Sequence, residues 1–312
     1  MYIVDSHCDS LAFIVNARSD RLINPYNFSS KYPQLQFAAA FCARAEEDEN
    51  ASYIRAKKFI NAFNTAIETE RDILIPVRSF SDIEKAVKEK KHAALFTAEG
   101  AGKAILSNRG LVREFYDAGA RVIGIAWESN ALAKSNRISD GEYDSGLSDL
   151  GREVCREIDS LGMILDVSHL SDRSFYDTAE LASKPIIASH SNFRSVCPHS
   201  RNLTDDMARL IFERDGMIGL NFYPPFISDK AEKQTLDGLL LHLEHGLSLG
   251  GEDHIGFGGD IDGTSGRYPY PLSESSSMHD MIIEAMLKKN YSESLVRKIA
   301  GENYINFLRK YL

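Results

Sequence analysis

Residues 163–190 read MILDVSHLSDRSFYDTAELASKPIIASH, and this stretch decides the fold. One apolar run ends at His169, an amphipathic segment begins near Ser171, and a second apolar run ends at His190. Ser171 followed by Asp172 is typical of a helix start. The order strand, helix, strand predicts a parallel βαβ unit with both histidines at the carboxyl ends of neighbouring strands.

The same alternation extends along the whole chain. Helical segments lie between most of the apolar runs, with start signals such as Ser81, Ser171 and Thr204. Eight runs are predicted as strands, at residues 2–4, 35–42, 93–97, 122–126, 163–167, 185–189, 217–221 and 255–258. Continuously apolar runs are typical of strands buried on both faces. Because no GxGxxG turn follows the first strand, the pattern favours a closed (β/α)₈ barrel of the TIM type over an open doubly wound sheet.

Domain organisation follows from the absence of a linker or composition break. We predict one domain over residues 1–312. Three further helices, around residues 277–289, 292–300 and 302–311, are expected to pack outside the barrel.

Composition restricts the partners and the compartment. The 312 residues carry a formal net charge of -9, so nucleic acid and anionic membranes would be repelled and a small substrate is expected. The four cysteines are too widely spaced for a CxxC zinc site, which predicts free thiols in a reducing cytoplasm. The first residues, MYIVDSHCD, read as a strand rather than as an export signal, so we expect a cytoplasmic location.

Candidate metal ligands stand at the predicted strand ends. His7 and Asp9 lie two residues apart after the first strand, so in an extended chain their side chains point the same way. An HxD triplet is weak evidence alone, and His169 or His190 alone could be a core histidine. As a pair on adjacent strand ends, the two imidazoles point at one opening, where barrel active sites are built.

Acidic residues complete the candidate site. Glu99 ends an apolar strand, where a buried carboxylate needs a metal or another cation as partner, and Gly100 allows a bound group to approach the backbone. Asp260 and Asp262 follow the last strand within GFGGDIDG. Strand position favours Asp260 as the catalytic carboxylate and a supporting role for Asp262.

The number of candidate ligands predicts the kind of centre. Three imidazoles and three carboxylates exceed the needs of one four-coordinate zinc, but suit two divalent ions that share a carboxylate, the natural role of Glu99. Two ions activate a shared water and polarise a carbonyl, which is the chemistry of amide hydrolysis. Arg201 could hold a substrate carboxylate in two hydrogen bonds, or could instead stabilise the next helix together with Asp205 and Asp206.

The motifs DSHCD (5–9), TAEG (97–100), DVSH (166–169), SHSN with SRN (189–192 and 200–202) and GFGGDIDG (256–263) together resemble the renal or membrane dipeptidase family of zinc peptidases. The resemblance implies a (β/α)₈ barrel and hydrolysis of dipeptides, often with a D-residue at the C-terminal position, by a catalytic pair of Glu99 and Asp260. It implies one zinc on His7, Asp9 and Glu99 and a second on Glu99, His169 and His190. It also implies that Asp260 handles the proton and that Arg201 binds the free carboxylate.

Two departures from the family pattern concern substrate and location. Where mammalian members have a substrate-binding histidine after the fourth strand, this chain has Trp127, which cannot carry a positive charge. Trp127 and Tyr223 are expected to contact the substrate. Mammalian members are also exported and lipid-anchored, whereas this chain resembles the soluble microbial branch.

The sequence leaves the scissile bond open. The closest alternative is another metal-dependent amidohydrolase, such as a deaminase, a lactonase or a β-lactam-opening enzyme, because fold and ligands do not fix the substrate. A barrel that binds without catalysis is the alternative from another class. We expect a zinc-dependent dipeptidase with two zinc ions per chain and a dipeptide as its partner. No nucleic-acid or membrane partner is expected, and a homodimer is a possible assembly.

Overall fold

The computed structural model of the chain describes residues 1–24, 28, 30–137, 143–263 and 277–312. Within these residues the strands are parallel to their neighbours. They are Ile3–Cys8 (β1), Gln34–Phe41 (β2), Leu74–Val77 (β3), His92–Glu99 (β4), Val122–Ile123 (β5), Ile164–Leu165 (β6), Ile187–Ala188 (β7), Met217–Leu220 (β8) and Ile255–Phe257 (β9).

Helices connect most of the strands. They are Leu11–Val15 (α1), Glu49–Thr69 (α2), Phe80–Glu89 (α3), Gly102–Ser107 (α4), Leu111–Ala118 (α5), Asp149–Ser160 (α6), Asp172–Leu181 (α7), Asp205–Glu213 (α8), Pro224–Ile227 (α9), Leu236–Ser248 (α10), Met278–Lys288 (α11), Glu293–Arg297 (α12) and Asn303–Tyr311 (α13). A 3₁₀ turn, Ala231–Lys233, and a π-helical segment, Lys298–Glu302, complete the set. None of the helices in the described ranges is long and apolar enough to cross a membrane.

Helix starts follow local side-chain chemistry. Ser171 and Thr204 cap α7 and α8 as predicted, since each hydroxyl accepts a hydrogen bond from the backbone N–H of the third residue of its helix. The predicted start at Ser81 is wrong by two residues. Ser79 caps α3, because Asp82 reaches back to the Ser79 N–H at 2.9 Å and completes a capping box.

The strands form a nearly closed barrel of eight, which confirms the predicted fold. Hydrogen-bonded neighbours follow the order β6, β5, β4, β2, β1, β9, β8, β7. A single parallel bridge between Asp166 and Ile187 joins the two ends of this order. The eight predicted runs correspond to β1, β2 and β4 to β9.

Strand β3 is the element that the sequence did not predict. It pairs with the first half of β4, from Leu74 opposite His92 to Val77 opposite Leu95, whereas β5 pairs with Thr97 and Ala98 further along. Because β2 occupies the other edge of β4, β3 and β5 share one edge. Pro76 in a run of four residues lowers the strand signal.

The chain has two hydrophobic cores, one on each side of the barrel wall. In β4, Ala94 and Phe96 belong to the outer core under the helices, while Ala93 and Leu95 belong to the inner one. Alternation of side chains across each strand produces this division. The strands are buried on both faces, as predicted, except at Phe41, Pro76 and His92, which are partly exposed.

The prediction that the last helices pack outside the barrel is wrong for α13. Tyr304 from this helix is fully buried in the inner core, with its ring 5.6 Å from that of Phe37. Its hydroxyl donates to Ser6 Oγ at 2.6 Å. Tyr304 thereby closes the amino-terminal end of the barrel. The helices α11 and α12 begin after Ser277 and Ser292, where the sequence predicted them.

Candidate metal centre and substrate pocket

An irregularity in β1 directs the first two predicted ligands into the barrel mouth. Asp5 pairs with Gln36 of β2, but the next pairing is Cys8 with Ala38, so three residues of β1 span two of β2. Val4 belongs to the inner core and Cys8 to the outer one, although four residues apart in a regular strand they would share a face. The extra residue is a bulge that re-aims the chain, as bulges do near active sites.

Glu99, the last residue of β4, lies between the other predicted ligands. Its Oε2 is 3.6 Å from His7 Nε2, while its Oε1 is 2.7 Å from His169 Nε2 and 3.5 Å from His190 Nε2. The residue is only 6% exposed. One carboxylate thus faces imidazoles on two sides, the arrangement expected of a group shared by two cations.

The glycine after Glu99 has a different role from the predicted one. Gly100 has a φ of +62°, and a side chain there would meet the Cβ atoms of Ala43 at 2.7 Å and Trp127 at 3.0 Å. It permits close packing of two neighbouring segments of the protein, rather than approach of a bound group.

A hydrogen-bond relay orients His190. The Ser189 hydroxyl donates to Asp166, and the same oxygen lies 2.7 Å from His190 Nδ1. Ser189 therefore accepts from the Nδ1–H, which leaves a lone pair on Nε2 facing the site. The sequence analysis missed Asp166, although it stands three residues before His169 in the quoted DVSH motif.

His169 completes this side of the cluster. Its Nε2 lies 2.9 Å from His190 Nε2, and its Nδ1 is buried with no partner among the described residues. Burial, with Arg201 and His7 nearby, lowers the pKa of both His169 and His190 well below the usual range. Both rings are therefore neutral at pH 7 and can act as metal ligands.

Asp260 stands on the opposite side with a strained backbone. Its φ is +53°, in the left-handed region where Asp and Asn are better tolerated than other side chains. Asn221 Nδ2 donates to its Oδ2 at 3.2 Å. Ligand atoms of His7, Asp9 and Asp260 all lie within 4.8 Å of one another.

Asp262 supports the backbone of β1 from the same loop. Its carboxylate accepts from the Asp9 N–H at 2.8 Å and from Ser10 Oγ at 2.7 Å. A side chain at Gly263 would meet Asp9 Oδ2 at 2.1 Å and Asp260 Oδ1 at 2.3 Å. The loop after β9 therefore needs glycine to bring these carboxylates together.

The buried carboxylates perturb one another strongly. Burial raises the pKa of Glu99 to about 8 and that of Asp260 to about 7, although His7 opposes both shifts. Burial disfavours protonation of His7, but Glu99 and Asp9 outweigh it and raise the pKa of this ring well above its usual range. Such an acidic cluster is costly unless cations compensate it.

The donor set fits divalent metal ions. Within the described ranges, two groups of residues bring ligand atoms within 4.8 Å of one another: His7, Glu99 and His190, and His7, Asp9 and Asp260. His169 adds a third imidazole through its contacts with Glu99 and His190. Imidazole nitrogens with carboxylate oxygens suit zinc and similar transition ions.

A pocket of about 840 Å³ opens above this cluster at the carboxyl ends of the strands. Its lining includes the predicted substrate-binding residues, Trp127, Arg201 and Tyr223, together with Asp260. Tyr223 precedes α9 and packs its ring 4.9 Å from that of Phe226. The pocket also contains Glu99 and His169, so a molecule inside it reaches the predicted ligands.

Arg201 is held as a buried cation in the pocket wall. It is 5% exposed, and its guanidinium donates to the carbonyls of Ser168 and His190 and to the Ser191 hydroxyl. Burial lowers its pKa to about 10, against the pull of Asp260 and Glu99. Its Nε is buried with no partner among the described residues.

Of the alternative role, the acidic part is confirmed, since Asp205 and Asp206 lie in the first turn of α8, but Arg201 makes no described contact with them. Asp205 at the start of α8 instead accepts from Ser195 Oγ and His245 Nε2, both at 2.8 Å. Asp206 pairs with Arg209 at 3.5 Å. Arg201 is therefore free of α8 and directed at the pocket.

Trp127 occupies the position where the resemblance suggested a histidine. Its ring lies 5.3 Å from that of Phe41 and 6.1 Å from that of His169. The Arg137 guanidinium stacks over the indole at 3.9 Å from the ring centroid, and both residues line the pocket. The sequence analysis missed Arg137, because nothing in a loop sequence shows that residues 127 and 137 meet.

Comparison with known proteins gives consistent matches. A sequence model described as membrane dipeptidase, peptidase family M19, matches residues 1–311. A dipeptidase of Claviceps purpurea is 29% identical over 86% of this chain, and an uncharacterised protein of Klebsiella pneumoniae is 31% identical over 74% of it. The matched region spans 64% of the Claviceps protein and 86% of the Klebsiella protein.

A solved structure has the same fold. A metallopeptidase from Rhodobacter sphaeroides, crystallised with a phosphinate mimic of the dipeptide L-Ala-D-Ala, superposes with a TM-score of 0.87 at 22% identity. The superposition covers 100% of this chain and 99% of that chain.

Proposed function

Because the chain belongs to the membrane dipeptidase family, peptidase family M19, we propose that it hydrolyses the peptide bond of dipeptides that carry a free C-terminal carboxylate. The observation that carries the proposal is the position of Glu99, whose carboxylate oxygens face His7 on one side and His169 and His190 on the other. This shared carboxylate lies below a pocket with a buried arginine in its wall.

We propose that the cluster holds two zinc ions. Glu99 would contribute to both sites, His7 and Asp9 would complete one of them, and His169 and His190 would complete the other. When bound, the two ions supply an activated water and polarise the scissile carbonyl. The relay from Asp166 through Ser189 fixes the tautomer of His190, and Asp262 fixes the backbone of Asp9, so the ligands are oriented before any ion binds.

Asp260 is proposed to move the proton. Its carboxylate would accept a proton from the attacking water and return it to the leaving amine. In the metal-free protein, burial chiefly raises the pKa of this group to about 7. Asn221 holds one oxygen of the group, and the left-handed backbone directs the other toward Asp9.

Arg201 is proposed to bind the C-terminal carboxylate of the substrate. Its planar guanidinium is fixed by two carbonyls and a hydroxyl, while Nε has no described partner and remains available as a donor. A carboxylate held there places the preceding peptide bond toward the ligand cluster. Trp127 and Tyr223 provide apolar walls for the substrate side chains.

We extend the proposal to dipeptides with a D-residue at the C-terminal position. Support comes from the Rhodobacter structure, whose bound ligand mimics L-Ala-D-Ala. We also propose a cytoplasmic location, which the four buried free cysteines support because free thiols persist in a reducing compartment.

The first test is Asp260→Asn. Asn tolerates the left-handed backbone and keeps the hydrogen bond to Asn221 sterically possible, so the variant should retain bound metal and lose nearly all turnover. Metal content and dipeptide hydrolysis are measured together. Asp237→Asn, on an exposed side chain, is the matched control. Full turnover in the Asp260 variant would refute the proton-transfer role.

The second test compares dipeptides with their C-terminal amides in the wild type and in Arg201→Ala. The substitution should raise KM for free dipeptides and leave the weaker reaction with amides unchanged. If neither wild-type reaction occurs while another cyclic or exocyclic amide is cleaved, the dipeptidase proposal fails and a different amidohydrolase activity takes its place.

A further inference from the structure

A second arginine in the pocket wall, Arg137, is held in position by contact with Trp127. The Arg137 guanidinium lies 3.9 Å from the indole centroid, a cation–π contact that fixes the cation without neutralising it. Among the described residues no carboxylate pairs with Arg137, whose backbone N–H donates to Ser135 Oγ at 3.2 Å. The side chain is exposed to the pocket, so its donors can reach a bound molecule.

The charges that line the pocket leave an excess of positive charge once metal is bound. Within the described part of the chain, the four lining carboxylates, Asp9, Glu99, Asp260 and Asp262, balance the charge of two divalent ions. Arg18, Arg137 and Arg201 then remain. A dipeptide with neutral side chains is a zwitterion with no net charge, and its one carboxylate accounts for Arg201. The described lining of the pocket therefore has more cations than such a substrate can use.

Arg137 lies on the Arg201 side of this pocket. The preceding residue, Asn136, donates from Nδ2 to the Ser168 carbonyl at 3.1 Å, and the Arg201 guanidinium donates to the same carbonyl. The two guanidiniums are thus near enough to act on the same end of a bound dipeptide.

We propose that Arg137, held on the face of Trp127, is a specificity-determining residue that binds an acidic side chain on the C-terminal residue of the dipeptide. This inference rests on the proposed dipeptidase function and names its substrate class. Arg201 takes the α-carboxylate, and Arg137 takes the side-chain carboxylate of glutamate or aspartate.

The physical advantage is a preorganised donor. Stacking holds the planar guanidinium against the indole. Little further side-chain entropy is therefore lost when a carboxylate binds. A charge-assisted hydrogen bond at a partly desolvated wall should favour a substrate with a carboxylate side chain over its neutral isostere by on the order of tenfold. A lysine side chain on the substrate would instead be repelled.

The kinetic test uses isosteric substrates. The kcat/KM of the wild type for alanyl-glutamate should exceed that for alanyl-glutamine by about tenfold, mostly through KM. Arg137→Gln should abolish this preference by lowering kcat/KM for alanyl-glutamate much more than for alanyl-glutamine, whereas Arg137→Lys should restore part of it. Arg309→Gln is the matched control, because Arg309 also stacks on an aromatic ring, that of Phe80 at 5.0 Å, outside the pocket.

A second readout does not depend on turnover. Trp127 is the only tryptophan of the chain, so its fluorescence reports on this part of the pocket. Phosphinate mimics of alanyl-glutamate and alanyl-glutamine are titrated into the metal-loaded protein. The acidic mimic should bind about tenfold more tightly and change the fluorescence more, and Arg137→Gln should remove both differences.

The outcomes separate the two proposals. Equal kcat/KM for the two substrates in the wild type, a preference that survives in Arg137→Gln, or a preference only for glutamate at the N-terminal position overturns the role of Arg137. Failure to hydrolyse any dipeptide overturns the proposed function instead. An equal loss of kcat for both substrates in Arg137→Gln would make the residue part of the catalytic machinery and would also refute the specificity role.

Discussion

The two ends of the barrel are built from the same strands but differ in chemistry. At the amino-terminal end of β4, Leu95 packs in an apolar inner core that Tyr304 closes, while four residues later Glu99 lies among three imidazoles. In β1, Val4 and His7 show the same contrast across the bulge. One end is regular and apolar, and the other combines buried charge with a strained backbone at Asp260.

This difference shows how one fold separates stability from chemistry. Burying carboxylates and strained residues costs free energy, which the apolar end offsets at a distance. Substitutions at the mouth should therefore change metal binding and turnover, and substitutions at the closed end should change unfolding.

The largest effect is expected at the mouth, from Glu99→Gln. Loss of the shared carboxylate should release the metal ions and lower kcat/KM by about 10³-fold or more, because several kcal/mol of charge stabilisation leave with the ions. The metal-free form should unfold at the same temperature as the metal-free wild type, or higher. Metal content, kinetics and thermal unfolding are compared with Glu284→Gln on the exposed face of α11. Retained metal would contradict the shared role of Glu99.

The next effect is expected at the closed end, from Tyr304→Ala. Removing this buried ring should lower the free energy of unfolding by about 3–5 kcal/mol. Tyr304→Phe removes only the hydrogen bond to Ser6 and should cost about 1 kcal/mol. In both variants the kcat/KM of folded, metal-loaded protein should match the wild type. A stable variant with impaired catalysis would break the separation between the two ends.

A smaller effect is expected behind the ligands, from Asp166→Asn. The change weakens the hydrogen bond that orients Ser189 and, through it, His190. Metal affinity should fall by about 10–100-fold, and saturating metal should restore most of the turnover. Metal titration is compared with Asp159→Asn, which lies far from the ligands and accepts from the Ser183 hydroxyl. Unchanged affinity would show that His190 needs no such support.

The smallest effect is a pH dependence of the metal-free protein. The pKa values of Glu99 and Asp260 are raised to about 8 and about 7, so above pH 6.5 the folded state binds more protons than the unfolded state. Stability should therefore fall as pH rises from 6.5 toward 8, by on the order of 1 kcal/mol. The free energy of unfolding is measured by chemical denaturation at each pH. Its decrease with pH should be smaller in Glu99→Gln and unchanged in Tyr304→Phe. A free energy of unfolding that rises with pH in the wild type would contradict the raised pKa values.

Much of the fold and of the ligand cluster could be predicted from the sequence. Apolar runs that end in His169, His190 and Glu99 place these side chains at one edge, because parallel strands in a barrel end together. The structure does bring the predicted cluster together around Glu99. Local hydrophobic pattern and strand polarity were sufficient for this part.

What the sequence did not reveal depends on tertiary contacts. The bulge in β1 appears only as a change of register with β2. Tyr304 reads as one aromatic residue in an amphipathic helix, and its place inside the barrel follows from contacts with Phe37 and Ser6. Arg137 lies in a loop without periodicity, so its contact with Trp127 has no sequence signal.

The hydrogen bond between Tyr304 and Ser6 joins residues 298 positions apart. On a ribosome that adds roughly 5–20 residues each second, about 15–60 seconds pass between the synthesis of Ser6 and that of Tyr304. During this interval the first strand can pair with β2, but the amino-terminal end of the barrel has no closing side chain. The nascent protein therefore reaches its final packing only after Tyr304 has left the ribosome, and a slower ribosome would lengthen the time for which this apolar interior is open to chaperones.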